Sequence, residues 1–171
     1  SLSEYTAMPY TAFAGDGFYP EDDNGYTGNA IMSKWPIRES RSIRLEGAEL
    51  SALRVIVEPL WRVGIRQRER LSGIDNVIPI ICTRLNGGDD LTSETLRNNM
   101  IDQMAALMDV AGFIAGDFEH KPSNDSASHA VSLWGNPVNS GITTPTDRHD
   151  YIYTKGMSYT QSGTVDDDSI S

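Results

Sequence analysis

Residues 77–85 read Val-Ile-Pro-Ile-Ile-Cys-Thr-Arg-Leu, an apolar run of strand length with little polar alternation. A strand of that kind is expected to be covered on both faces, which points to a layered fold. One helix follows it. Thr92 or Ser93 is suited to cap this helix, Glu94 favours its first turn, and Gly112 is suited to end it. Leu96, Met100, Met104, Leu107 and Met108 recur at helical spacing and form a buried stripe. The methionines there are core filling, since a flexible thioether fits irregular gaps. Phe113, Ile114 and Ala115 then make a short buried strand that runs into Gly116-Asp117-Phe118-Glu119.

The flanks are poorer in pattern. Residues 1–24 are rich in Gly, Pro, Asp and aromatics and read as loop, with one short strand near residues 10–14. Residues 28–33 form an apolar strand that stops at Trp35-Pro36. Residues 43–45 and 52–60 read as a strand pair, with Leu53, Val55 and Val57 alternating against Arg54, Ile56 and Glu58. Residues 120–146 read as loop, residues 151–153 as a last strand, and residues 165–169 as an acidic loop. Strands, a helix, a strand and a final strand make an α/β layered sandwich.

The 171 residues suffice for one domain with a core. No run approaches the roughly 18 apolar residues of a membrane helix. The N-terminus, Ser1-Leu2-Ser3-Glu4, carries no basic and then apolar leader. A mature secreted chain reads the same way, so the compartment stays open, with an extracellular location slightly favoured. Cys82 is the only cysteine, which rules out an internal disulfide and a cysteine-rich metal site. A net charge of −10 disfavours nonspecific nucleic-acid binding, which needs basic surface to displace counterions. The charge is uneven. Residues 34–70 hold nine of the 14 basic residues against five acids, from Lys34 through Arg38, Arg41, Arg44 and Arg54 to Arg70. Solvated strands with alternating arginines explain this better than a phosphate-facing patch.

Four ordered segments carry a resemblance. Gly28-Asn29-Ala30-Ile31-Met32-Ser33-Lys34-Trp35-Pro36-Ile37 looks like a "G-x-A-I-L-S-r-y-P-I" strand, and residues 80–85 sit where "v-x-x-T-H-L" is expected. Ala115-Gly116-Asp117-Phe118-Glu119 matches "x-G-D-F-N", and Arg148-His149-Asp150-Tyr151-Ile152 matches "R-I-D-Y-I". Arg97 and Gln103 stand on the helix where an Arg and a Gln are common. Together these resemble the endonuclease/exonuclease/phosphatase superfamily of metal-dependent phosphoesterases over roughly residues 10–155. The resemblance implies a four-layer α-β-β-α sandwich, two packed and mostly antiparallel sheets flanked by helices. It also implies hydrolysis of a phosphate ester by a water aligned behind the phosphorus, with a hard divalent ion, usually Mg²⁺.

Carried over residue by residue, Asp117 matches the aspartate that places the attacking water or the metal, and Glu119 replaces the asparagine that contacts the phosphate. Asp117 and Glu119 are the expected metal-side residues. Asp150 matches the carboxylate that orients a catalytic histidine. Arg84 replaces the "T-H-L" histidine; arginine holds phosphate in a bidentate way but does not exchange a proton near neutral pH. Glu119 brings negative charge towards an anionic substrate. These two departures motivate a second reading, a catalytically inactive member of the fold serving as an extracellular binding or structural subunit. Residues 1–171 are expected to form a single domain of a family that runs to roughly 250 residues, with its outer strands and a terminal "S-D-H" motif outside this stretch. The partner expected is a phosphate-ester substrate of unspecified identity; self-assembly stays open.

Other polar residues carry plainer readings. His120 is expected on a surface loop rather than beside a metal, and His129 in an exposed loop. His149 is read as a half-buried strand position rather than a catalytic one. Asp166, Asp167 and Asp168 are read as a solvated loop rather than a Ca²⁺ site. Glu46 and Glu49 are read as solvated charges, and Tyr5, Tyr10, Tyr19 and Tyr26 equally well as packing of the N-terminal loops or as a surface for a sugar or a partner.

Overall fold

Alternation along the strands sorts the apolar side chains into two cores, one on each face of a central sheet. The computed structural model describes residues 8–19, 25–47, 50–58, 77–88, 90–138 and 149–157. Within them the order is β1 (Tyr10–Tyr19), β2 (Gly25–Ser33), β3 (Ile37–Arg44), β4 (Ser51–Val57), β5 (Ile78–Arg84), α1 (Leu91–Leu107), β6 (Gly112–Asp117), α2 (Asp125–Trp134) and β7 (Asp150–Lys155). β1 and β2 form a two-stranded antiparallel sheet, and β3-β4-β5-β6-β7 form a five-stranded sheet in chain order. Only β5 and β6 run parallel, as their connection through α1 requires. The result is an α/β sandwich of two packed sheets with helices, mostly antiparallel.

On β4, Leu53, Val55 and Val57 face the small sheet and pack with Ala14, Ala12 and Ile31. Ala52, on the other face, joins Ile81, Ile114, Tyr151 and Tyr153 under the helices, against Met100, Ile101, Met104 and Met108 of α1. β5 lies within the apolar run of residues 77–85, but the expected cover is complete on one face only: Pro79, Ile81 and Thr83 are buried, while Ile78, Ile80 and Cys82 are half-buried and Arg84 is exposed. Side chains such as Leu53 and Ile81 are fully buried, each contributing on the order of 2 kcal/mol. Phe118, just beyond β6, is also fully buried. It meets Tyr153 edge-on at 5.2 Å and Trp134 at 6.3 Å, and so fixes the turn after β6.

Four other expectations need correction. Residues 120–146 are not all loop, because α2 lies within them. Its buried stripe is Ala127, Ala130 and Trp134, two of them small, so packing on α1 rather than intrinsic propensity holds it. The cap of α1 is Asp90, whose carboxylate accepts from the Ser93 N–H at 3.0 Å, and the helix ends at Leu107 rather than near Gly112. Gly112 instead starts β6, where a Cβ would sit 2.4 Å from the Pro79 carbonyl oxygen. β3 is longer than residues 43–45; it is an edge strand, mostly exposed, whose Arg and Ser residues mask its strand character. The acidic residues 166–168 and Tyr5 lie outside the described residues, as do Glu49 and the arginines from Arg62 to Arg70.

Candidate active site

Parallel pairing sets the C-terminal ends of β5 and β6 side by side. Arg84 pairs with Asp117 in register, and Asp117 in turn pairs with Asp150, the first residue of β7. One row across three strands therefore reads Arg84, Asp117, Asp150. Gly116 permits this close approach: a Cβ there would lie 1.9 Å from the Thr83 carbonyl oxygen.

The chain turns sharply after Asp117. Its Oδ1 accepts the Glu119 N–H at 3.1 Å, an Asx-type turn. Two backbone bonds anchor it, Leu85 N–H to the Asp117 carbonyl at 2.9 Å and Phe118 N–H to the His149 carbonyl at 2.8 Å. Glu119 is thereby held at φ 50°, and it is the only non-glycine residue with positive φ among the described residues. Its carboxylate lies 3.4 Å from Arg84 Nη2 and 3.5 Å from His149 Nδ1, while Arg84 Nε reaches Asp117 at 3.7 Å. Burial, the Glu119 charge and the Asp150 charge push the Asp117 carboxyl above its ordinary value; the Glu119 N–H bond and Arg84 offset this only in part.

Asp117, Glu119 and His149 each offer a donor atom within 4.8 Å of the others, close enough to share one cation. Two carboxylates suit Mg²⁺, Mn²⁺ or Ca²⁺, and the imidazole favours Mn²⁺ or a later transition metal. The donor set fits a divalent ion.

The facing wall belongs to the small sheet and β4. A bulge between Gly15 and Gly17 turns Asp16 inward, a common use of bulges. Asp16 Oδ1 accepts from the Ser51 N–H at 2.7 Å and the Ser51 hydroxyl at 2.5 Å. Asn29 Nδ2 donates to the Ser51 carbonyl at 2.9 Å, and the Thr83 hydroxyl donates to the same oxygen at 3.3 Å. Burial, then the Asp16 charge, pushes the Cys82 thiol up. The open cleft between these walls has a volume of about 440 Å³, with Arg84, Gly116 and Asp117 along one side.

The structure brings Arg84, Asp117, Glu119 and Asp150 together. Sequence reasoning missed two neighbours. His149, read as a strand position, is half-buried and turned to Glu119. Asp16 had no expected role; Gly15 and Gly17 on either side were the available signal of a bulge. Arg97 and Gln103 are not in the cleft: Arg97 is fully buried, and Gln103 Oε1 accepts from the Glu46 N–H at 3.0 Å. His120 is not on the surface. It is fully buried, with Nε2 at 3.2 Å from the Tyr153 hydroxyl and its ring 4.5 Å from that of Tyr151. His129 is on α2, 2.8 Å from Asp102 of α1.

The sequence matches the model of the Endonuclease/Exonuclease/phosphatase family over residues 2–171. No curated protein matches it. Among solved structures, the catalytic domain of human Nocturnin superposes with a TM-score of 0.67 at 17% identity, covering 91% of this chain and 63% of that one. Sphingomyelinase C from Streptomyces griseocarneus gives 0.63 at 16% identity, with 91% and 65% covered. A beta toxin variant from Staphylococcus aureus, with bound magnesium ions, gives 0.62 at 13% identity, again with 91% and 65% covered. At such identities the likeness is one of fold, and the chain spans less than two thirds of these relatives' length. No helix among the described residues is long and apolar enough to cross a membrane.

Proposed function

The chain belongs to the endonuclease/exonuclease/phosphatase family, and on that premise we propose that it is a divalent-metal-dependent hydrolase of phosphate esters. The observation that carries this reading is the convergence of Asp117, Glu119 and His149 within 4.8 Å, at the edge of a cleft that also takes Arg84. The magnesium ions bound in the staphylococcal toxin variant of the same fold support Mg²⁺ as the ion.

Asp117 and Glu119 would hold the cation, with His149 as a third donor. When bound, the cation supplies neutralisation of the charge that develops on the phosphate. It also removes the repulsion an anionic ester meets from Glu119. Asp117 accepts a hydrogen bond from the attacking water and orients it. Arg84, its side chain 60% exposed, reaches a phosphate oxygen as a permanent cation and takes no part in proton transfer. Asp150 is assigned the role of the carboxylate that orients a catalytic histidine. The substrate is a phosphate ester, and its leaving group is unspecified.

The test is hydrolysis of bis(p-nitrophenyl) phosphate, a diester, and of p-nitrophenyl phosphate, a monoester, by the native, full-length protein, with Mg²⁺ and with chelator, beside Asp117→Ala. Turnover that needs the metal and disappears in Asp117→Ala is expected. Absence of turnover from folded, full-length protein would sink the hydrolase reading.

A further inference from the structure

Arg97 is the largest fully buried side chain among the described residues, and nothing in the proposed chemistry uses it. It projects from α1, and its guanidinium is engaged on three sides. Nη1 donates to the carbonyls of Asn86 at 2.8 Å and Gly88 at 2.7 Å. Nε donates to the Ser126 hydroxyl at 3.3 Å, and Nη2 pairs with Glu94. Glu94 in turn accepts the Ser126 N–H at 2.9 Å. One buried cation thus joins α1, the start of α2 and the loop that follows β5.

That loop lies against the site. Residues 86–88 come directly after Arg84 and Leu85, and the two carbonyls held by Arg97 flank Gly87. A Cβ on Gly87 would lie 3.6 Å from one Glu119 carboxylate oxygen and 3.9 Å from the other. The Gly87 backbone therefore lies beside the Glu119 carboxylate. Gly88 has φ +109°, and a Cβ there would meet the Ser93 hydroxyl at 2.6 Å, so the loop takes this curl only with glycine at that position. A planar guanidinium matches two carbonyls at fixed separation, whereas an ammonium is a point charge.

We infer that Arg97 is a positioning residue for the candidate active site, acting through the Asn86–Gly88 carbonyls to fix the Gly87 backbone against Glu119. The consequence for cation binding rests on the hydrolase reading above; the positioning itself does not.

The experiment compares Arg97→Lys with Met104→Ala, a core change on the same helix that leaves the loop contacts intact. A second variant, Ser126→Ala, removes one donor–acceptor pair of the network without touching the carbonyls and guards against a poorly folded lysine variant. Three readouts are taken on the full-length protein: the ¹³C carboxyl shift of Glu119, the Gly87 amide exchange rate at fixed pH, and the affinity for Mn²⁺ alone by calorimetry. Arg97→Lys should move the Glu119 resonance, speed Gly87 exchange and weaken Mn²⁺ about tenfold. Met104→Ala should lower the melting temperature yet leave all three readouts at their parent values, and Ser126→Ala should change them less than Arg97→Lys. If Arg97→Lys and Met104→Ala alter the Glu119 and Gly87 signals alike, or neither does, the positioning role is overturned. If the parent protein binds no Mn²⁺ while the Glu119 and Gly87 signals still respond to Arg97→Lys, the hydrolase reading fails and the positioning role stands.

Discussion

Glu119 adopts a left-handed backbone conformation, φ 50°, which places an L-residue's Cβ too near the following carbonyl and costs about 1–2 kcal/mol. Asparagine is several-fold enriched in that region, a preference equivalent to about 1 kcal/mol. Glu119→Asn should therefore recover about that much from the backbone alone. It also removes a charge, with effects of both signs. The contacts to Arg84 at 3.4 Å and His149 at 3.5 Å are lost, but so is the repulsion that helps to push the Asp117 carboxyl up. The Arg84 side chain is 60% exposed, so its pair contributes less than about 1 kcal/mol. Glu119→Gln makes the same charge change with no backbone relief, which isolates the conformational part. In urea and thermal melts with chelator present, the asparagine variant should exceed the glutamine variant by about 1 kcal/mol, or roughly 2–4 °C in midpoint. Equal stabilities, or glutamine above asparagine, would refute the claim that this turn is strained by its side chain.

Asp90→Ala removes the α1 cap, in which Asp90 accepts from the Ser93 N–H and hydroxyl; chemical denaturation should show a lower midpoint than the parent, and an unchanged midpoint would deny the cap a stabilising role. Gly116→Ala places a methyl 1.9 Å from the Thr83 carbonyl, so β5 and β6 must separate, at a cost of about 3 kcal/mol or more in the same assay. Two carboxyls should leave opposite marks on stability against pH. Burial pushes Glu94 up, but the Ser126 N–H and Arg97 outweigh it and hold it below its ordinary value. Its contribution is therefore present above about pH 4.3 and lost as pH falls through the folded value. Glu94→Gln should flatten that acid-side loss in urea melts taken across the range. Asp117 is raised, so the fold favours its protonated form and stability declines as pH rises from about 3.9 through the folded value. Asp117→Asn should abolish that decline.

What the sequence disclosed of this fold follows how each element is stabilised. β5 and α1 were legible because their burial is written in side-chain type: an unbroken apolar run, and Met100, Met104 and Met108 at helical spacing. α2 was not, because Ala127 and Ala130 bury small areas among Ser, His and Asn, and its contacts are to an element far away in sequence. β3 was largely missed because an exposed edge strand carries polar residues on both faces. The candidates Arg84, Asp117, Glu119 and Asp150 stood out through short motifs at or just beyond strand ends, and the fold places them near one another. His120 follows the turn directly, yet its burial depends on Tyr151 and Tyr153, 31 and 33 residues away. Asp16 required a bulge, and the network of Arg97 required three separate segments; neither leaves a periodic trace.

The most direct test of the proposed metal centre is Mn²⁺ titration of the ¹⁵N-labelled full-length protein, observing which amide resonances broaden. Broadening is expected at substoichiometric Mn²⁺, centred on Asp117, Glu119 and His149, extending to Arg84 and Gly87, and lost in Asp117→Asn. Broadening confined to other acidic segments, or unchanged in Asp117→Asn, would contradict the proposed metal centre.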